Sequence, residues 1–187
     1  MPMQTFPEPV VSPELAGELA ATAAGFVASL NARQCGRALL SFASDDRRDW
    51  HYVPRERPGL PLRDMDKAQR AAALALLRIG LSDAGGRKAI AIMDRENILK
   101  RSDPSENYDP LDYAFTVYGD PRMPPPWGWS VEGHHLSLHF TVRTATEITV
   151  TPFFMGVAPL MLHGRRRRSG ATPGARPGRA DRASTRR

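Results

Sequence analysis

Cysteine is almost absent from this sequence: Cys35 stands alone among 187 residues. A single thiol excludes an internal disulfide framework and a thiolate metal cluster. Cys35 sits between Gln34 and Gly36 in a helix-like stretch with no histidine close in sequence, so it reads as a small structural thiol rather than a nucleophile. Long apolar runs are also missing. Stretches such as residues 71–77 are too short to cross a bilayer, and no membrane partner is expected. The opening stretch, Met1 to Pro7, carries neither the basic nor the apolar segment of a secretory leader, and a cytoplasmic protein is the expectation.

Positive charge is plentiful but unevenly placed. The formal net charge is +6. Residues 164–187 hold nine Arg against one Asp, and the rest of the chain holds 17 basic against 19 acidic residues. A mildly acidic body does not offer a domain-wide nucleic-acid face, so nucleic acid is expected only through the Arg-rich tail. That tail, residues 161–187, has almost no large apolar side chains and is expected to be disordered. Its composition is also what GC-rich DNA encodes when read out of frame.

Ser12-Pro13 has the chemistry of a helix start, and Leu15, Leu19, Ala23, Phe26, Val27 and Leu30 follow at helical spacing. A short helix is expected over 32–40. Asp66-Lys67-Ala68-Gln69 is a capping-box pattern opening a helix that ends near Gly80, and Ser82 caps another running to about Lys100. The buried stripe of that last helix is Ala89, Ile92, Met93, Glu96 and Leu99, in which Glu96 is a carboxylate where the spacing asks for an apolar residue. Residues 49–54 read as extended. Strands are expected around Tyr113 to Tyr118, over 129–142 and over 147–154. Helices first and antiparallel strands later give an α+β fold, with N-terminal helices packed on a small C-terminal antiparallel sheet. One domain is expected over 13–160, after a disordered N-terminus at 1–12.

Chemistry concentrates in Trp127-Gly128-Trp129-Ser130-Val131-Glu132-Gly133-His134-His135, which brings two indoles, a carboxylate and two imidazoles into nine residues. If 129–142 is one strand, alternation puts Glu132 and His134 on the face that also carries Leu136, Leu138, Phe140 and Val142. His134 and His135 then point to opposite faces. His135 and His139 share a face but lie about 13 Å apart, too far to bind one ion. Glu132 and His134, about 7 Å apart, can converge on one ion or one proton.

The candidate catalytic residues are therefore Glu132, His134 and Glu96, with two carboxylates and an imidazole in one site. His134, Glu132 and His51 are the candidate ligands of a divalent metal, and the pattern specifies no other cofactor. Arg55 and Arg57 alternate on an extended segment and are candidate clamps for an anion. Trp127, Trp129 and His135 are candidate pocket walls. The expected activity is metal-dependent or acid/base hydrolysis of a small anionic substrate. Three alternatives stand beside it: a Glu–His hydrogen bond that only staples the hairpin to a helix, a non-catalytic ligand- or partner-binding domain, and a truncated fragment without function.

Several stretches resemble the family catalogued as domain of unknown function 3500. They are Trp50-His51-Tyr52-x-Pro54-x-x-Arg57-x-Gly59-Leu60, Gln69-Arg70, Leu81-Ser82-x-Ala84-Gly85 and Ile92-Met93-x-x-Glu96. Tyr113, Gly119-x-Pro121, Trp127-Gly128-Trp129, Glu132-Gly133-His134-His135-Leu136-Ser137-Leu138 and Thr151-Pro152-Phe153-Phe154-x-Gly156 continue the set. The resemblance covers roughly residues 15 to 160 and implies no established activity. It implies that members continue past the position of Gly156, so this chain, which turns Arg-rich there, resembles a truncated or frameshifted member. It also implies Asn at the position of His139, which argues against a metal role for that histidine.

Overall fold

Ser12 accepts a hydrogen bond from the Leu15 amide at 3.2 Å and starts α1 (Pro13–Ser29), the first helix in a computed structural model that describes residues 8–53, 55–105 and 108–157. The Asp66–Gln69 capping box starts α3 (Lys67–Ile79), and Ser82 caps α4 (Asp83–Ser102). The short α2 (Ala32–Ala38) ends sooner than its expected limit at 40, because Leu39–Leu40 leave it as a strand, β2, parallel to β4 (Ala114–Tyr118).

Among the described residues, seven strands form one mostly antiparallel sheet. Its order is β1 (Val10–Val11), β7 (Glu147–Met155), β6 (Leu136–Val142), β5 (Trp127–Gly133), β4, β2, with β3 (Leu60–Pro61) also paired to β4. The architecture is α+β: four helices in the N-terminal half, and a sheet whose long strands come from the C-terminal half. Val10 and Val11 pair with Ile148 and Glu147, so the expected disorder of 1–12 fails at that end. Residues 49–53 contribute no strand. The tail from 161 onward lies outside the described residues. Among the described residues, no helix is long and apolar enough to cross a membrane.

The segment expected as one strand over 129–142 is two strands. They meet at a two-residue turn, His134-His135, flanked by the pair Gly133–Leu136. A tight turn of this length reverses the parity of the faces. Trp129 therefore lies opposite Phe140, and Val131 opposite Leu138, all on the face that packs against the helices. Leu19 and Phe26 of α1, Leu76 and Leu77 of α3, and Ile92 and Met93 of α4 close that core. Trp129 stacks on Phe140 at 4.3 Å and 3°.

The other face carries Thr116, Tyr118, Ser130, Glu132, Ser137 and His139, all buried although polar. The chain between β2 and β3 reaches this face. The Arg47 carbonyl meets His139, the Pro58 carbonyl accepts from the Thr116 hydroxyl, and Arg57 faces Glu132. Most groups of this polar layer bond to each other or to backbone, the exceptions being Ser137 Oγ and Arg57 Nε.

The turn is tightly built. His135 is the one described non-glycine residue with positive φ, at 59°. Its amide donates to the Tyr52 carbonyl, and its carbonyl accepts from the Gly156 amide, both at 2.8 Å. Gly133 has no room for a side chain: a Cβ there would enter the Tyr113 ring. Gly133→Ala should therefore destabilise the protein by about 1–3 kcal/mol, as overpacking does. A urea titration checks it, and an unchanged midpoint would refute the packing described.

Candidate functional site

The apolar stripe of α4 buries Glu96 to 3% exposure, and the β5–β6 turn brings His134 to it. His134 Nδ1 lies 2.9 Å from Glu96 Oε1. An ionised carboxylate only accepts, so Nδ1 donates to it, which fixes the ring's tautomer and orientation. Two rings stack on it: His135 at 3.8 Å between centroids and Tyr108 at 5.4 Å. The Tyr113 hydroxyl donates to the His134 carbonyl at 2.9 Å. Burial, and then the charge of Glu96, push the Tyr113 phenol far above its ordinary range, so it stays a donor. Among the described residues no hydrogen-bond partner meets His134 Nε2.

A gap of about 20 Å³ lies between this pair and Arg55, Arg57, Asp109, Asp112 and Tyr113. It shares Arg55, Arg57 and Asp112 with a cleft of about 440 Å³, which Arg37 and Arg63 also line. Arg63 pairs with Asp112 and Arg37 with Asp64. Burial raises the Asp112 carboxyl, and the Arg63 charge partly offsets that. The arrangement offers a histidine edge at the inner end of an arginine-lined opening.

Only part of the expected site is assembled. Glu96 and His134 meet, and His135 lies against His134. Glu132 does not join them. Its Oε1 contacts His139 Nε2 very closely, and its Oε2 lies 3.5 Å from Arg57 Nε. His51 pairs with Asp49 at 3.0 Å instead. The expected metal set of His134, Glu132 and His51 is thus split up, each residue having its own separate partners, and no group of three His, Cys, Asp or Glu suited to a metal occurs among the described residues. Trp127 and Trp129 are core residues facing the helices, not a pocket wall.

Arg57 is not an anion clamp. Its Nη1 donates to the Arg55 carbonyl at 3.0 Å, and its Nη2 to the carbonyls of His51 at 3.1 Å and Val53 at 2.6 Å. Arg55 is more available: it holds Asp49 at 2.8 Å and the Glu56 carbonyl at 3.2 Å, and it lines both openings.

Sequence reasoning missed Tyr108, Asp109, Asp112 and the hydrogen bond of Tyr113, and it missed the pairing of His139 with Glu132. On a straight strand positions 132 and 139 face opposite ways. The parity reversal at Gly133-His134-His135 puts them on one face, and a glycine beside a compact polar pair was the available turn signal.

His135 makes the site sensitive to pH. Burial lowers its pKa first and the neighbouring His134 lowers it further, with Glu96 opposing. The folded state thus prefers the neutral ring. As pH falls through the ordinary imidazole range near 6.5, the unfolded chain takes up the proton first, so stability falls. His135→Asn should flatten that part of the curve while keeping a residue that tolerates positive φ. Urea midpoints across this range check it, and an identical slope in the variant would refute it.

Residues 13–180 match the model of the family described as "Protein of unknown function (DUF3500)". The match runs past residue 160, where the resemblance was expected to stop. No curated protein and no solved structure matches the chain. With most of its length matched, the chain belongs to the DUF3500 family of proteins of unknown function.

Proposed function

We propose that this protein is an acid/base enzyme in which His134 moves a proton on a small anionic substrate. The observation that carries this is the state of the His134 ring. It is stacked against His135 and Tyr108, fixed at Nδ1 by buried Glu96, and left with Nε2 as its one unengaged nitrogen among the described residues. A ring held this way is pre-oriented as a base at Nε2, with the carboxylate stabilising the imidazolium that forms. Arg55, which lines both the gap and the cleft, is the donor through which an anion would be held, in exchange for its exposed partner Asp49.

A panel of small phosphate and carboxylate esters tests the proposal. The protein should turn over at least one of them, and Glu96→Gln should slow that reaction sharply while leaving the fold intact. Equal rates in the variant would discard the reading. The second reading is a non-catalytic ligand pocket. The cleft of about 440 Å³ favours it, since a ligand can sit there outside the gap of about 20 Å³ at His134, which holds about one water. Binding without turnover across the panel would select it.

A further inference from the structure

We propose that Glu132 is a positioning residue for the His134 site, acting through Arg57. This rests on reading His134 and Glu96 as the working pair.

The carboxylate is 5% exposed and lies between two buried donors, His139 Nε2 and Arg57 Nε. His139 is fully engaged: its Nδ1 lies 3.1 Å from the Arg47 carbonyl and its Nε2 contacts Glu132, so neither nitrogen is left for chemistry. Arg57 is different. Its Nε makes no hydrogen bond within normal reach, and among the described residues Glu132 Oε2 at 3.5 Å is the one carboxylate oxygen in ion-pair range of it. Its remaining donors tie together the carbonyls of His51, Val53 and Arg55.

That loop carries two elements of the site. Arg55 lines the gap, and the Tyr52 carbonyl accepts the His135 amide at 2.8 Å. His135 in turn covers one face of the His134 ring. A path of contacts therefore runs from Glu132 on the polar sheet face, through Arg57 and the backbone of His51, Tyr52, Val53 and Arg55, to the His134 imidazole. Glu132 touches no part of the gap itself, since the side chains lining it are those of Arg55, Arg57, Glu96, Asp109, Asp112, Tyr113 and His134.

The charge on Glu132 is what keeps Arg57 in place. Without it the buried guanidinium loses its strongest anionic partner, and the weaker pull of Asp112 draws it out of its place. The three carbonyls are then released together. Neutralising Glu132 should loosen the loop and the turn before it loosens the sheet, because local openings cost less than global unfolding.

Amide hydrogen exchange and histidine ring NMR test this on the full chain. In Glu132→Gln, the His135 amide should exchange roughly tenfold faster or more, with the amides of the central β5–β6 ladder nearly unchanged. The His134 ring resonances should move with it. Arg57→Lys keeps the positive charge but replaces the planar fork, whose two terminal nitrogens reach three carbonyls, by a single nitrogen, and should give the same pattern at His135. Glu96→Gln is the contrast: it should move the His134 ring and leave His135 protection unchanged. Protection at His135 equal to the unmodified protein in both Glu132→Gln and Arg57→Lys would overturn the proposal. So would a uniform loss across the whole sheet.

Should neither variant fold, the unmodified protein decides. Slowly exchanging Arg57 guanidinium protons close to Val53 support the proposal, and a freely averaging guanidinium overturns it. Failure of the catalytic reading shows elsewhere, as His134→Ala and Glu96→Gln without effect on any turnover.

Discussion

Glu132→Ala should cost about 3–5 kcal/mol of stability, the typical penalty for removing one partner of a buried ion pair. Most single substitutions cost about 1 kcal/mol, so this one should stand well apart. Three side chains set the size of the effect. Arg57, Glu132 and His139 are each no more than 5% exposed, so solvent does not screen their interactions. Deleting the carboxylate leaves a buried guanidinium without its anion and a ring nitrogen without its acceptor. For a domain of this size the loss corresponds to a melting temperature lower by roughly 6–20 °C. Thermal and urea unfolding of the purified variant check it. Glu147→Ala, at a half-buried position on β7, is the control and should change stability far less. A Glu132→Ala loss under about 1 kcal/mol would mean that the buried cluster is not an ionic one.

His134→Ala carries the largest functional effect. If the ring is the acid/base group, turnover of any accepted ester should fall roughly 100- to 10,000-fold. The turn itself has reason to survive, because Tyr113 holds the backbone carbonyl of residue 134 and not its side chain. The variant does leave Glu96 buried without its partner, which lowers stability as well. His134→Ala combined with Glu96→Gln removes that penalty. The double variant should be more stable than His134→Ala and no more active. Rates within a few-fold of the unmodified protein in both would assign His134 a structural role, as a staple between the hairpin and α4.

Helix boundaries were legible in the sequence because they are local. Ser12, Asp66 with Gln69, and Ser82 cap their own helices, and each signal spans only a few residues. Glu96 was legible for a related reason. A carboxylate at the period of Ala89, Ile92 and Met93 must be buried, and a buried carboxylate needs a partner. The identity of that partner was only half legible. His134 was named beside it, but the same straight-strand reading also brought in Glu132, and one turn sends Glu132 to the other face. The indoles failed for the same reason. Trp127 and Trp129 share a face with the core of β6 only after the parity reverses. Arg57 was misread because a sequence shows its charge but not its surroundings. Its donors are used by carbonyls two, four and six residues upstream, so the loop folds around the side chain. Tyr108 and Asp112 come from the connection between α4 and β4, where no periodicity guides the eye.

The central claim is that His134 Nε2 faces an anion held at the arginine-lined opening. A titration of the protein with inorganic phosphate, followed on the His134 ring nitrogens by NMR, tests it most directly. The account expects a saturable shift at Nε2, a smaller one at Nδ1 where Glu96 is bonded, and loss of both in Arg55→Ala. A His134 ring that ignores phosphate at millimolar concentrations, while Arg37 and Arg63 respond at the outer rim, would contradict it.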